Sequence, residues 1–399
     1  MTIKSKVPQI RFKGFDGEWE KNRLKELTEI LRCGIAATPQ YVDDGVVFLS
    51  SQNVTNSGKI NLEKFNYISE EYYKKISKNA KLLKGDILYT RVGAGFGNST
   101  VFPYDGDYGV YVSLTHIRTN KNLNNKFLNH LLNSPICKEQ AENGVFQGGG
   151  VPNLNVKIVE NFNIVYPKTE NEQIKIGDYF QQLDKLIEQK EKKYQKLKQF
   201  KKAMLDKMFP KNGDDTPEIR FKGFSGKWEE KSLEEIVDRY DNLRIPISAS
   251  NRIAGDTPYY GANGIQDYVQ GFTHDGEFIL VAEDGANDLK NYPVQYVNGK
   301  IWVNNHAHVL QAKKDISSNK FLKYSISKIN IEPFLVGGGR AKLNANIMMK
   351  INIYVPLNLQ ELEKIGNYFY KLDSQIDLQQ KELEKLKNIK KASLAKMFV

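Results

Sequence analysis

The chain of 399 residues has little cysteine and no long apolar run. Its two cysteines, Cys33 and Cys137, can form neither a disulfide framework nor a four-ligand zinc site. No stretch approaches the roughly 18 apolar residues of a membrane span, and residues 1–8 lack the apolar stretch of a signal peptide. We therefore expect a cytoplasmic protein that does not associate with membranes.

Motifs for catalysis are also missing. There is no Gly-x-x-x-x-Gly-Lys-Ser/Thr phosphate loop, no His-Glu-x-x-His, and no Asp/Asn-Pro-Pro-aromatic tetrad for methylation of a base. The glycines of 93–97 follow a predicted strand, but a cofactor loop should open a helix, and 98–103 is predicted to be extended. His306 and His308 could supply two metal ligands, yet no Cys or carboxylate cluster of ligand spacing accompanies them, which favours a structural role. The chain is predicted to bind without catalysing and without a metal.

The charge of the chain favours a polyanionic partner. Lys and Arg total 58 against 47 Asp and Glu, which gives a net charge of +11. Hydrophobic residues make up 40% and aromatic residues 11%, enough for real cores in two or three domains.

The sequence is duplicated. Ile10–Phe15, Ile-Arg-Phe-Lys-Gly-Phe, recurs at Ile219–Phe224 with a shift of 209 residues. Ile176–Phe180, Ile-Gly-Asp-Tyr-Phe, is matched by Ile365–Phe369 with a shift of 189. The first half therefore holds a net 20 extra residues, and they fall early because intermediate matches already run at a shift of 192.

Each half ends in a predicted long helix, from Thr169 to Phe209 and from Asn358 to Phe398. Glu172 and Glu361 lie three residues after the first position, as expected near the positive end of a helix dipole. Apolar residues then recur at alternating spacings of four and three, which is typical of a coiled-coil seam. These seam residues are Ile176, Phe180, Leu183, Ile187, Tyr194 and Leu197, and Ile365, Phe369, Leu372, Ile376, Leu383 and Leu386.

Polar residues interrupt both seams at the same heptads. Lys190 aligns with Gln379, and Lys201 aligns with Lys390. One such stripe alone would favour ordinary core packing, but a matched pair favours two helices packed on each other with a register fixed by these interruptions.

Between the motifs each half contains short runs rich in Val, Ile, Tyr and Phe, which predict strands. Predicted strands include 46–49, 86–90, 109–112, 278–281 and 300–303, and predicted short helices are 126–132 and 320–327. The predicted order is an α+β domain at 1–168, a helix at 169–209, a linker at 210–217, a second α+β domain at 218–357 and a second helix at 358–399. If a pseudo-dyad relates the halves, the helices run antiparallel, the termini lie close together and the layout is circular.

Two basic modules joined by long helices favour duplex DNA as the partner, with two short blocks recognised and unread bases between them. Arg, Lys, Asn and Gln in glycine-flanked loops are the candidates for contacts to bases and phosphates. The candidates are Gln52, Asn53, Arg91, Gln147, Asn153 and Asn155, and Asn263, Asn287, Lys290, Arg340, Lys342 and Asn344. The alternative, that these residues only form turns, stays open for each of them.

The motifs together resemble a known family. They are the doubled Ile-Arg-Phe-Lys-Gly-Phe-x-Gly-x-Trp, the Gly-Asp-Ile-Leu strand followed by Arg91-Val-Gly, Tyr260-Gly-Ala-Asn-Gly-Ile, Asn304-Asn-His-Ala-His308, Gly-Gly-Gly before Leu-Asn, and the doubled Lys-Met-Phe. Over essentially its whole length the chain resembles the specificity subunit of a type I restriction-modification system. The extra residues of the first module depart from the pattern and leave the target of that module in doubt.

That resemblance implies two target-recognition domains and two helices in an intramolecular antiparallel coiled coil. It also implies a bipartite asymmetric site in double-stranded DNA and assembly with two methyltransferase subunits and ATP-dependent restriction subunits. S-adenosylmethionine, ATP and magnesium are then expected on the partners and none on this chain. Two alternatives remain, a fused restriction-methylation enzyme with diverged motifs and a stand-alone coiled-coil repressor or architectural protein.

Overall fold

The computed structural model of the protein describes residues 6–55, 58–146, 150–211, 213–338 and 341–399. They divide into two compact units. The first unit extends to Glu191 and includes Glu382–Val399, and the second unit is Lys192–Lys381. Both units mix helices and sheets, as the sequence predicts. Each unit contains part of both long helices. The boundaries of the compact units therefore fall inside the helices and not at the domain ends predicted from the sequence.

The first unit contains ten strands among its described residues. They are β1 Glu20–Arg23, β2 Thr28–Cys33, β3 Tyr41–Val42, β4 Val46–Leu49, β5 Asn66–Ile68, β6 Ile87–Thr90, β7 Ser99–Val101, β8 Tyr108–Val110, β9 Leu114–Thr119 and β10 Asn163–Tyr166. Its helices are α1 Glu70–Ser77, α2 Asn125–Leu132, α3 Pro135–Gly144, α4 Val156–Glu160 and the first part of α5 Glu170–Met208.

Two four-stranded sheets and one ribbon organise the first unit. The order β2-β9-β6-β7 is antiparallel, and all four residues of β6 are buried. The second sheet has the order β3-β5-β4-β8, with β4 and β8 parallel, while β1 pairs with β10. Most of the extra residues of the first half, those before the matches at a shift of 192, lie between β2 and β6. The extended conformation of β7 agrees with the prediction that no helix follows the glycines of 93–97.

The second unit contains ten strands within its described part. They are β11 Glu229–Ser232, β12 Val237–Arg239, β13 Ala254–Gly261, β14 Gly264–Val269, β15 His274–Ala282, β16 Val294–Val303, β17 Ala307–Ala312, β18 Leu335–Val336, β19 Lys342–Leu343 and β20 Asn352–Val355. Its helices are α6 Leu233–Ile236, α7 Asn319–Ser327, α8 Ala345–Met349, the end of α5 and most of α9 Leu359–Lys396, whose end belongs to the first unit.

The second unit repeats the scaffold of the first. Its main sheet has the order β12-β17-β15-β16-β13-β14, and the first four strands correspond to β2-β9-β6-β7. The ribbon β11-β20 corresponds to β1-β10. The added pair differs, because β13 joins the sheet by a short parallel pairing with β16. The duplication seen in the sequence is therefore a duplication of the fold, with different additions.

An aromatic cluster closes the core of the first unit. The ring of Phe398 lies 5.5 Å from Phe127 and 5.5 Å from Phe180, and Trp19 lies 5.9 Å from Phe127. The second unit repeats this cluster with Phe209, Phe321, Phe369 and Trp228. The doubled Lys-Met-Phe motif is thus the end of one helix inserted into a core that the other helix helps to build.

The two long helices run antiparallel within each unit. In the first unit Lys390 Nζ of α9 lies 2.5 Å from Asp184 Oδ1 of α5, and in the second unit Lys201 of α5 pairs with Asp373 of α9. The twelve predicted seam residues are all buried or half-buried. The predicted helix pairing is confirmed, and three of the four polar interruptions, Lys190, Lys201 and Lys390, each meet a carboxylate on the opposite helix.

The expected closeness of the chain termini is confirmed inside the first unit. The backbone N–H of Ile10 donates to the carbonyl of Lys396 at 3.0 Å. The same contact in the second unit joins Ile219 to Lys207 at 2.8 Å. The segment near the start of the chain therefore contacts the end of the second long helix in the same way that the segment after the linker contacts the end of the first.

A buried ion pair attaches the first motif of each half to its helix. Arg11 donates from Nε and Nη2 to the carboxylate of Glu172 at 2.7 and 2.8 Å. Arg220 makes the same two contacts with Glu361 at 2.6 and 2.7 Å. Both carboxylates are almost completely buried. Such paired, bidentate contacts satisfy the buried charges.

Candidate nucleic-acid interface

In each unit the two backbone segments on either side of the Gly-Gly-Gly run pair with each other, and we call this pair of segments the hairpin. In the first unit Phe146 and Asn153 exchange backbone hydrogen bonds of 3.0 and 3.2 Å. In the second unit β18 pairs with β19. Gln147 and Arg340, both predicted to contact DNA, lie outside the described residues. Phe146 is 68% exposed, so the flank of this hairpin presents an aromatic ring to solvent.

Arg91 is engaged inside the protein. Its Nε donates to the carbonyl of Leu154 at 2.9 Å, and its Nη1 donates to the carbonyl of Val112 at 2.7 Å. Its Nη2 donates to Asn153 Oδ1 at 3.0 Å. The guanidinium therefore fastens the returning strand of the hairpin to the strand that ends at residue 90.

Two further candidates in the first unit have local structural contacts. Asn155 caps α4 by accepting a hydrogen bond from the backbone of Lys157 at 2.9 Å. The side chain of Asn53 is fully buried and donates to the carbonyls of Asn61 and Lys64 at 2.9 and 2.8 Å. Asn53 thus holds a turn in this conformation, while its neighbour Gln52 is exposed.

The fold brings these segments of the first unit together. Ser113 accepts from the backbone N–H of Arg91 at 3.0 Å through its carbonyl. Its hydroxyl accepts from the backbone N–H of Ser51 at 2.9 Å. The loops that carry Gln52, Arg91 and Asn153 are therefore neighbours, although up to about a hundred residues separate them in the sequence.

In the second unit Asn263 joins two predicted loops. Its Nδ2 donates to the carbonyl of Gly285 at 2.9 Å, and its Oδ1 accepts from the backbone of Asn287 at 2.9 Å. The side chains of Asn287 and Lys290 are exposed on the loop that follows β15. Asn344 precedes α8 and is half-buried, and its side chain makes no capping bond.

Lys342 lies on β19 and pairs with an acidic residue that was not among the candidates. Its Nζ lies 2.8 Å from Glu283 Oε1, and Arg244 Nη1 lies 2.7 Å from Glu283 Oε2. Burial raises the pKa of Glu283, but the contacts with Lys342 and Arg244 outweigh this effect and leave the pKa below its ordinary value. Glu283 is therefore an ionised, paired carboxylate beneath the hairpin.

His308 belongs to the same ion network. Its Nδ1 lies 2.7 Å from Asp241 Oδ2, and its Nε2 lies 2.8 Å from the carbonyl of Leu343. Ligand atoms of Asp241, Glu283 and His308 lie within 4.8 Å of one another. The sequence has no carboxylate at ligand spacing from this histidine, but the fold brings Asp241 and Glu283 to it from distant segments.

Cations of the protein already neutralise this cluster. Arg244 contacts Asp241 at 3.6 Å as well as Glu283. The arrangement fits an internal ion network that supports the hairpin better than a metal site, because a bound cation would compete with Arg244 and Lys342 for the same carboxylates. The predicted absence of a metal stays a prediction.

Comparison with known proteins identifies the family. Residues 16–199 and 225–388 each match the type I restriction modification DNA specificity domain. The chain belongs to this family. The resemblance seen in the sequence motifs is thereby confirmed, and neither the fused enzyme nor the stand-alone DNA-binding protein gains support.

Named relatives carry the same description. The chain is 24% identical over 394 residues to a type I restriction enzyme MjaX specificity subunit of Methanocaldococcus jannaschii, covering 94% of this chain and 91% of that protein. It is 44% identical over 157 residues to the specificity subunit S.HindORF215P of Haemophilus influenzae. That second match spans 39% of this chain and 40% of the relative.

Solved structures show the same fold. The S subunit of a type I restriction-modification system from M. genitalium superposes with a TM-score of 0.73 at 17% identity, covering 98% of this chain and 99% of that one.

Among the helices described in this specificity chain, none is long and apolar enough to span a lipid bilayer.

Sequence reasoning missed Glu283, Arg244 and Asp241. The sequence held a signal for Glu283, because the shift of 192 between the two halves aligns it with Arg91. The other two come from a segment between β12 and β13 that has no aligned motif in the first half. Which candidate residues contact DNA bases stays a prediction.

Proposed function

We propose that this chain is the DNA-recognition subunit of a type I restriction-modification complex and that each unit recognises one half of a bipartite, asymmetric site. The supporting observation is that two copies of one scaffold carry different additions. The first unit adds the sheet β3-β5-β4-β8, and the second adds the pair β13 and β14. Different loops on one scaffold suit the recognition of two unlike blocks of sequence.

The proposal gives the long helices two roles. They set the number of unread base pairs between the blocks, and they provide the docking surface for two methyltransferase subunits. Restriction subunits join the complex for cleavage. On this view the chain is not itself an enzyme, and S-adenosylmethionine, ATP and magnesium bind to the partners. The proposed place of action is the cytoplasm, where the DNA is.

Sequencing of methylated DNA tests the proposal directly. The methyltransferase subunits are expressed in cells with and without this chain, and methylated bases are mapped across the genome. We expect one bipartite motif that appears only when the chain is present. The proposal fails if the map is the same in both strains.

Two biochemical experiments separate the alternatives. Methyl transfer by the purified chain alone, with S-adenosylmethionine and duplex DNA, would favour the fused enzyme. Absence of methyltransferase subunits from an affinity purification of the tagged chain would favour the stand-alone DNA-binding protein. We expect no methyl transfer by the chain alone and co-purification of the methyltransferase.

A further inference from the structure

Residues 91 and 283 occupy the same place in the two units. The carbonyl of Arg91 accepts from the backbone of Leu154 at 2.8 Å, and the carbonyl of Glu283 accepts from the backbone of Leu343 at 2.7 Å. The following residues also match, because Val92 bridges Asn153 and Asp284 bridges Lys342. Each of these positions therefore lies at the end of a central strand, beside the strand that returns from the glycine run.

The side chains at these places make equivalent contacts of opposite polarity. Arg91 donates to Asn153 Oδ1 at 3.0 Å in the first unit. Glu283 accepts from Lys342 Nζ at 2.8 Å in the second. We call this contact between the strand end and the returning hairpin strand the hairpin clasp. One clasp has a cation at the strand end, and the other has an anion there.

This inversion of charge argues against a shared direct contact with DNA. A guanidinium at this place could bind phosphate, but a carboxylate at the same place would repel it. The guanidinium of Arg91 already makes three hydrogen bonds inside the protein. Glu283 is only 9% exposed, and its two carboxylate oxygens contact Lys342 and Arg244. What the two residues share is the hairpin that they hold.

We propose that Arg91 and Glu283 are positioning residues that fix the strand returning from the glycine run of each unit for base recognition and do not themselves contact DNA. The inference rests on the proposed function. It changes the role predicted for Arg91 from base contact to support. In this proposal Asn153 and Lys342 are the residues on the returning strand that Arg91 and Glu283 hold.

Substitution of Glu283 separates support from direct electrostatics. Glu283→Gln keeps the shape and removes the charge that holds Lys342 and Arg244. If Glu283 positions the hairpin, methylation of the second block falls, with a loss on the order of tenfold in affinity for DNA. If Glu283 only faces the phosphates and does not position the hairpin, loss of its negative charge strengthens binding instead. Asp275→Asn, an exposed acid on β15, the strand that Glu283 follows, is the matched control and should change neither.

Two substitutions of Lys342, one conservative and one disruptive, test the same contact from its other side. Lys342→Arg keeps a cation for Glu283 and should keep the motif, whereas Lys342→Gln should weaken the second block. Because the side chain of Lys342 is 46% exposed, neither change threatens the fold. Equal methylation in all three proteins, wild type and the two variants, would overturn the clasp in this unit.

The first unit offers an independent discrimination. Asn153→Asp keeps the oxygen that accepts from Arg91 and removes the amide that a base-reading asparagine needs for adenine. The clasp predicts that this variant keeps its first block, while base reading by Asn153 predicts that the block is lost. Arg91→Lys keeps the charge but cannot make three hydrogen bonds in this geometry, so the first block should be lost. Arg32→Lys, on β2, is the control.

All variants are measured as full-length chains co-expressed with the methyltransferase subunits. Methylome sequencing scores each block separately, and affinity is measured on a duplex that carries the wild-type motif. The unaltered block in each variant reports that the complex has assembled. Failure of the proposed function would appear as no bipartite motif in the wild type. Failure of the clasp would appear as a normal wild-type motif that Glu283→Gln and Arg91→Lys leave unchanged.

Discussion

At the scale of residues, Asp86 shows how a buried charge is stabilised in the first unit. Its carboxylate accepts from Arg118 at 2.7 and 2.8 Å and from the backbone of Leu83 at 2.8 Å, and His116 Nε2 lies at 2.7 Å. Burial raises the pKa of Asp86, but the hydrogen bonds from His116 and Arg118 outweigh it and lower the pKa to about 2. The folded state therefore favours the ionised form.

This shift predicts how stability depends on pH. Because the folded pKa lies below the unfolded value, the stabilisation is fully present above about pH 4 and is lost as the pH falls toward 2. We expect Asp86→Asn to lower the free energy of unfolding at pH 7 by about 2 kcal/mol and to flatten its dependence on pH between 4 and 2. Thermal unfolding across this range measures both. The exposed Asp105, changed to Asn, is the control.

A glycine inside each long helix is required by close packing. A Cβ at Gly366 would lie 2.7 Å from the backbone nitrogen of Phe321 and 2.9 Å from Lys320 Cβ on α7. Gly177 makes the corresponding approach to α2 in the first unit. The doubled Ile-Gly-x-Tyr-Phe motif therefore marks the place where a short helix crosses a long one.

We predict that Gly366→Ala destabilises the protein. Alanine favours the helix by about 1 kcal/mol, but the clash with backbone atoms costs about 1 to 3 kcal/mol, so the net loss is on the order of 1 kcal/mol. A fall in the midpoint of thermal unfolding would show it. Gly338→Ala, where a Cβ would meet no atom within 4 Å, is the control and should leave the midpoint in place. A rise in the midpoint with Gly366→Ala would contradict the packing argument.

At the scale of elements, the long helices depend on cross-helix ion pairs as well as on their seams. Lys190 Nζ lies 2.5 Å from Glu382 Oε2, in addition to the pairs of Lys390 and Lys201. Charged partners at such positions fix register more than they add stability. The helices are therefore suited to holding a defined alignment, which a spacer between two DNA blocks requires.

An insertion in both helices should change the spacer. Four residues added after Gln189, with four matched residues after Leu378, lengthen each helix by about 6 Å, which is close to two base pairs of DNA. We expect methylome sequencing to show the same two blocks separated by a longer unread spacer. The same insertion after Asp214 in the linker should leave the motif as it was. An unchanged spacer after the helix insertion would contradict the proposed role of the helices.

At the scale of the whole molecule, the chain enters and leaves the two recognition domains in the same way. Glu20 on β1 pairs with Tyr166 on β10, and Glu229 on β11 pairs with Val355 on β20. The chain therefore enters and leaves each domain on neighbouring strands. The aromatic cluster beneath each domain is also the same, so we expect a copy of one domain to pack in the position of the other.

We predict the outcome of such an exchange. Replacing 18–168 by a second copy of 227–357 should give a protein whose methylated motif contains the second block twice, as an inverted repeat. The spacer should stay unchanged because both helices are intact. The control for expression is the wild-type protein made from a gene that carries silent codon changes in the part encoding 227–357. Retention of the first block in the exchanged protein would show that bases are recognised outside 18–168.

The sequence by itself determined the duplication, the two helices with their seams, the alternation of domains and helices, and the family. These follow from periodic or repeated patterns, which a single chain displays without its fold. The short helices predicted at 126–132 and 320–327 are α2 and α7, and the strand predicted at 86–90 is β6 with one residue fewer.

Only the tertiary structure decided what the polar residues do. Asn53 is buried and Arg91 is held, while Glu283 joins Lys342, because segments far apart in sequence meet at the ends of the central strands. A polar side chain in a turn has the same sequence pattern whether it faces a partner or its own backbone. Its role depends on which carbonyl or carboxylate the fold places within about 3 Å, and that is a property of contacts across the chain.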